Sequence, residues 1–217
     1  MPVERFVIRG GDVSALGVTW QLGRLDASEV RGSIELRDAV REIEREVGAP
    51  LPNGFASEVN LGLDGWLHAV LESLDEGVVL LIDYGLPRRE LYADERCDGT
   101  LLCHFRHRYH EDPFLYPGLQ DIGAWVDFTA VATAAQRHGA TVAGYTTQAH
   151  FLIGTGIANF VADVAGLDLV QRVNLSRQAM LLTLPAEMGE RFKVIALAKG
   201  YDAPLRGFST RDLRHKL

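Results

Sequence analysis

Residues 78–83 read VVLLID, five consecutive apolar residues running into a carboxylate. No polar residue interrupts the run. It therefore predicts a strand buried on both faces, the habit of a parallel sheet flanked by helices. Gly77 precedes it and Asp83-Tyr84-Gly85 closes it. Open α/β sheets place ligand chemistry at that carboxyl end of a strand, so Asp83 and Tyr84 are candidate site residues. The plainer reading gives Gly85 a turn and gives Asp83 a backbone N–H to accept.

Working outward, the flanks alternate helix and strand. Ser57 precedes EVNLGLDGWLHAVLESL (58–74), where Val59, Leu63, Trp66, Leu67, Val70 and Leu74 predict a helix. Earlier, VERFVIR (3–9), a GGD turn (10–12) and ALGVTWQL (15–22) predict a β-hairpin. SIELRDAVREIEREVG (33–48) predicts an amphipathic helix stopped by Gly48. Downstream, residues 86–120 form a long polar stretch with a strand at 99–105, of the kind that carries function more often than not. DIGAWVDFTAVATAAQRHG (121–139) predicts a helix capped by Asp121 and stopped by Gly139. TVAGYT (141–146) and RFKVIALAKG (191–200) predict strands, and QAHFLIGTG with 157–182 predicts helices. Alternation of this kind is α/β. No repeat or linker divides the chain. The expected organisation is one domain, 1–217, with hairpin 3–22, helical insert 33–48 and a core of sheet and helices over 57–217.

Composition excludes several classes. Hydrophobic residues make up 47% and charged residues 24%, with a formal net charge of -7. That acidity disfavours nonspecific nucleic-acid or anionic-lipid binding. No run of about 18 apolar residues predicts a membrane span. Cys97 and Cys103 make no metal or redox spacing and are expected as reduced thiols.

The chemistry-bearing residues are sparse. HFRHRYH spaces His104, His107 and His110 by three, beside Glu111 and Asp112. On a helix they would share a face and could bind zinc for a hydrolase, but the neighbouring aromatics, Gly and Pro favour strand and loop. Glu58, Asp121 and Asp127 are carboxylates near helix starts. Asp121 alone is most simply a cap. Gln148 and His150 stand beside apolar Phe151 and Leu152, where a hydrogen-bonded core-edge role is the plainer one. No G-x-G-x-x-G follows a strand, Gly154-Thr155-Gly156 being the nearest approach, and no Walker loop or nucleophile elbow is present.

Four ordered stretches carry a resemblance: SEVNLGLDGWLHAVLESLDEGVVLLIDYG (57–85), DGTLLCHFRHRYHEDPFLYPGLQDIGAWVDFTAVATAA (98–135), TTQAHFLIGTGI (146–157) and PAEMGERFKVIALAKG (185–200). Together they resemble the MidA-type S-adenosylmethionine (SAM)-dependent methyltransferases. The resemblance implies a Rossmann-like class I methyltransferase sheet, with 78–83 as its fifth strand and the hairpin 3–22 as an elaboration after the fourth. Met1-Pro2-Val3 matches the end of a motif of the form Asn-Glu-x-Leu-Asp-Ala-x-Pro-Val. The chain is thus expected to hold the C-terminal portion of the family fold, with the SAM-binding half absent. SAM is the implied cofactor. Relatives in the mitochondrial branch assemble respiratory complex I and act as protein-arginine methyltransferases, which implies a protein substrate, a complex I subunit among the candidates. The implied location is cytoplasmic for a bacterial-type member and mitochondrial in the eukaryotic branch, and a homo-oligomer is expected. Glu58, Asp83, Tyr84, His107, Asp121, Asp127 and Gln148 are carried as substrate-side candidates. The alternative is a non-catalytic chain that binds a partner.

Overall fold

The computed structural model describes residues 2–106, 108–162 and 166–217. In chain order the elements are β1 (Glu4–Arg9), β2 (Asp12–Gln21), β3 (Arg24–Arg31), α1 (Ile34–Val47), β4 (Ala56–Val59), α2 (Leu63–Glu72), β5 (Gly77–Leu86) and α3 (Arg88–Leu91). They continue with β6 (Leu102–Phe105), β7 (Arg108–His110), β8 (Asp121–Gly123), β9 (Val126–Asp127), α4 (Phe128–Arg137) and β10 (Thr141–Thr147). The last are α5 (Gln148–Thr155), α6 (Ile157–Ala162), α7 (Leu169–Thr183), α8 (Met188–Arg191) and β11 (Phe192–Lys199). The chain divides into two units: Met1–Gly65 with Arg88–Trp125, and Trp66–Pro87 with Val126–Leu217.

The first unit is built on an antiparallel sheet of order β3-β2-β1-β4. The expected hairpin is present as β1 and β2, but it is only half of the sheet. β3 follows through a tight turn at Leu22-Gly23 and pairs along its whole length with β2, from Ser14↔Arg31 to Gln21↔Arg24. Its sequence, RLDASEVR, lacks an apolar face because it is an edge strand, and an edge needs little burial. β4 is a correction. Residues 56–59 form no helix; they pair with β1 from Glu4↔Val59 to Val7↔Ala56, and the helix begins only at Leu63. The free edge of β1 offers ladder hydrogen bonds that local helical spacing does not register.

Helix α1 has the expected bounds. Ser33 Oγ accepts the Leu36 N–H at 3.0 Å, and Gly48 ends the helix at φ 89°. Its inner residues Leu36, Val40 and Ile43 are buried, where the helix meets β2 and β4. Phe6 and Phe55 stack at 6.5 Å within the same core. A second, smaller sheet of order β7-β6-β8 completes this unit. Asp121–Gly123 is its strand β8, paired with β6 from Leu102↔Gly123 to His104↔Asp121. The helix expected from Asp121 therefore starts at Phe128 instead, and its cap is Asp127, whose carboxylate accepts the Ala130 N–H at 2.9 Å.

The second unit is a sheet of order β10-β11-β5-β9 with helices packed on it. β11 is antiparallel to both β10 and β5, so β10 and β5 run in the same direction with the late strand between them. The strand buried on both faces is β11, where Val194, Ile195, Ala196 and Leu197 are fully enclosed. That corrects the reading of 78–83. β5 is mainly antiparallel, with two residues of parallel pairing to β9 (Gly85↔Val126, Leu86↔Asp127), and its Leu80 and Ile82 are 42% and 48% exposed. Apolarity marks a strand that wants cover; the neighbours that provide it are set by topology. Gly85 makes no turn. A Cβ there would lie 2.2 Å from the Val126 carbonyl oxygen, so glycine is what allows β9 to pair. Tyr145 is fully buried and its ring lies 5.3 Å from that of Phe128 at the start of α4.

Candidate functional site

The second unit gathers polar side chains at the C-terminal ends of β5 and β10. The register places Asp83, Lys193 and Thr147 in one row across β5, β11 and β10. Directly paired residues share a sheet face, so a carboxylate, an ammonium and a hydroxyl line up there. Lys193 is buried, and its Nζ donates to the Glu190 carbonyl. Thr147 Oγ1 lies 3.4 Å from Glu190 Oε1 and accepts the His150 N–H at 3.4 Å, capping α5. Asp83 keeps contact with solvent. The protein around it nonetheless strips enough water to push its carboxyl above the ordinary Asp value. That shift stands against the Tyr84 N–H, donated to Asp83 Oδ1 at 2.8 Å, which favours the anion.

The other candidates in this unit are held by the framework. Tyr84 meets Phe192 edge-to-face at 5.5 Å. Gln148 is buried, and its Nε2 donates to the Leu182 carbonyl at 2.9 Å, tying α5 to α7. Asp127 caps α4 at the end of β9, beside Leu86 of β5. Gly154 is a packing position: a Cβ would stand 2.6 Å from the Arg206 carbonyl oxygen.

The first unit holds Glu58 and Asp121. Glu58 is buried on β4 and fully engaged. It accepts Arg5 Nε at 3.0 Å, the Thr100 N–H at 2.8 Å and Thr100 Oγ1 at 3.0 Å. Gly99 wraps it at φ 84°, and a Cβ there would come within 2.5 Å of Glu58 Oε1. Asp121 is exposed on β8, opposite His104. His107 lies outside the described residues. His104 pairs with Tyr109 and Cys103 with His110, so His104 and His110 point to opposite faces of their ladder. Among the described residues no group of three His, Cys, Asp or Glu could hold a metal ion.

Two features of these sites escaped the sequence reading. Lys193 and Lys199 are the two charged residues of the otherwise apolar β11, and Lys193 next to its start was a signal that was there to be used. Arg5 as the partner of Glu58 had no such signal, because the two are 53 positions apart.

Over residues 1–146 the sequence matches the family described as "Putative S-adenosyl-L-methionine-dependent methyltransferase". The chain belongs to this methyltransferase family. It is 32% identical over 187 residues to the protein arginine methyltransferase NDUFAF7 homolog, mitochondrial, of Drosophila melanogaster, covering 82% of this chain and 40% of the fly protein. Its fold is similar to a crystal structure of a COG1565 superfamily member from Burkholderia thailandensis bound to S-adenosyl-homocysteine. The TM-score is 0.91 at 35% identity, over 100% of this chain and 55% of that one. A native crystal structure of a COG1565 superfamily protein from the same organism gives a TM-score of 0.90 at 35% identity, over 100% and 57%. The chain thus spans between two fifths and somewhat over half the length of these relatives.

The family's cofactor is SAM, and in the second unit Gly85, Gly154 and the N-termini of α4 and α5 are not left open to it. Such cofactors need close-approaching glycine backbone and free helix N-terminal N–H groups. Gly85, near the end of β5, is committed to packing against β9, and Gly154, within α5, to packing against the Arg206 turn. The N-termini of α4 and α5 are capped by Asp127 and Thr147. The family assignment rests on the match in sequence and fold.

Proposed function

We propose that this chain supplies the acceptor side of a SAM-dependent methyltransferase that modifies a protein arginine. The observation carrying the reading is the match of the whole chain to a protein bound to S-adenosyl-homocysteine, at 35% identity. The arginine acceptor is supported by the name of the Drosophila relative, and a respiratory complex I subunit is the acceptor we favour from the family resemblance. Methyl transfer is an in-line displacement, so the protein's task is alignment and exclusion of water more than proton transfer. A guanidinium is held best by a carboxylate in bidentate geometry. Of the proposed substrate-side residues, Asp83 has its carboxylate at a strand's C-terminal end and in contact with solvent. Asp127 and Gln148 position the elements beside it. Glu58, by contrast, already holds the guanidinium of Arg5.

A second reading, a non-catalytic chain that binds a partner, is favoured by the half-exposed Leu80 and Ile82 on β5. Isothermal calorimetry of S-adenosyl-homocysteine against the purified chain separates the two. Micromolar binding supports the enzyme. A folded, oligomeric chain that takes up no ligand supports the partner-binding protein.

A further inference from the structure

Helix α7 carries an apolar stripe on its outer side. Its inner residues Leu175, Ala179 and Leu182 are half-buried, and the helix meets α5, α6 and α8. The outer side of such a helix is ordinarily polar. Here Leu169, Val170, Val173, Met180, Leu181 and the C-cap Leu184 are instead between 47% and 76% exposed. At about 3.6 residues per turn these six fall within an arc of about 120°. The steps from Val170 to Val173, Arg177, Met180 and Leu184 alternate three and four, the seam spacing of a helix that packs along another helix. The helix is fixed at both ends. Asp168 Oδ1 accepts the Gln171 N–H at 2.8 Å, Gln171 Oε1 accepts the Asp168 N–H at 3.0 Å, and the Leu184 N–H donates to the Met180 carbonyl at 2.8 Å. The stripe lies beyond residues 1–146, outside the stretch that matches the family.

One residue within the stripe selects what covers it. Arg177 lies inside the arc, with Val170 and Val173 on one side along the axis and Met180 and Leu184 on the other. It is exposed and makes no hydrogen bond or ion pair among the described residues. A helix lying on a membrane keeps its cations on the polar flanks, whereas this guanidinium would be pressed toward the acyl chains and the flanking Asn174 and Ser176 are uncharged. A second copy of α7 set in register along the seam, parallel or antiparallel, brings Arg177 against Arg177, and like charges so placed disfavour the pairing. A partner helix with a carboxylate at its middle seam position neutralises the guanidinium and covers the apolar residues on both sides of it.

We propose that the outer stripe of α7 docks an amphipathic helix of a partner protein, whose apolar seam residues cover Val173 and Met180 and whose central Asp or Glu pairs with Arg177. The inference does not rest on methyl transfer. Its occupant is an acidic helix seam, the opposite in charge of an arginine acceptor.

The test uses the full chain and a fluorescein-labelled, lactam-stapled helical peptide, with leucine at its outer seam positions and glutamate at the central one, in an anisotropy titration. A twin with lysine at the centre carries the same staple, so both are helical before binding. The glutamate peptide is expected to bind roughly tenfold or more tightly than the lysine peptide. Arg177→Glu changes an exposed side chain and is expected to invert that preference with an unchanged circular dichroism spectrum. Val173→Asp is expected to abolish binding of both peptides. Equal affinity of the native chain for the two peptides, an unchanged preference in Arg177→Glu, or an absence of binding overturns the proposal. So does a dimer in sedimentation velocity that Val173→Asp dissociates, which would mark the stripe as an interface between copies. Co-sedimentation with phosphatidylcholine–phosphatidylserine vesicles that Val173→Asp abolishes would likewise overturn it, in favour of a membrane surface. None of these outcomes bears on the calorimetry with S-adenosyl-homocysteine, so the two readings fail separately.

Discussion

A buried carboxylate is stable only with a full set of donors, and Glu58 has one in Arg5 and Thr100. Glu58→Gln removes the charge that makes those bonds strong. It is expected to lower unfolding stability by about 1.5–3 kcal/mol in urea denaturation, and an unmoved midpoint would show the network to be dispensable. Asp83 behaves differently because its carboxyl is raised by desolvation above the ordinary 3.8. The folded chain prefers the protonated form, so this group's contribution to stability is present below that ordinary value and is lost as pH rises through the raised one. Asp83→Asn carries no such titration. Its melting temperature relative to the native chain is expected to rise between about pH 3 and about pH 7; parallel curves would count against a raised carboxyl. The sequence placed Asp83 correctly at a strand's carboxyl end. It could not show that Lys193 stands opposite, because that pairing spans 110 positions (193 minus 83).

Among the elements, β5 shows how far a pattern carries. Its apolar run gave the strand, and its direction relative to neighbours came from β11, which inserts antiparallel beside it. The parallel contact with β9 depends on Gly85. Gly85→Ala pushes a methyl group into the Val126 backbone and is expected to cost about 1–3 kcal/mol, read as a lowered thermal midpoint. Asp127→Ala removes the cap of α4 and is expected to cost about 1 kcal/mol by the same measurement. The two helices whose starts moved, at Leu63 and Phe128, were misread for one reason. Residues 56–59 and 121–123 have ladder partners elsewhere, in β1 and β6, and a free strand edge outcompetes a first helical turn. Helices α1 and α5 kept their expected positions because local capping by Ser33 and Thr147 agrees with the pattern.

At the scale of the molecule, the two cysteines report on the first unit. Cys97 is exposed and Cys103 is fully enclosed on β6, where burial first, and then the charge of Asp112, push its thiol up. A thiol reagent is therefore expected to label Cys97 in the native chain and Cys103 only as urea opens this unit. Immediate labelling of both would contradict the enclosed β6. By itself the sequence determined the α/β class, the family, most strand and helix positions after residue 77, and which residue types carry charge near strand ends. Those are local or pattern properties, fixed by periodicity, capping and composition. Only the tertiary structure decided that the hairpin is half of a four-stranded sheet, that β11 and not β5 is the enclosed strand, and that Glu58 belongs to Arg5. Each of these depends on which distant segments share a ladder, and that choice is made by burial and backbone pairing across the whole chain rather than within any stretch of it.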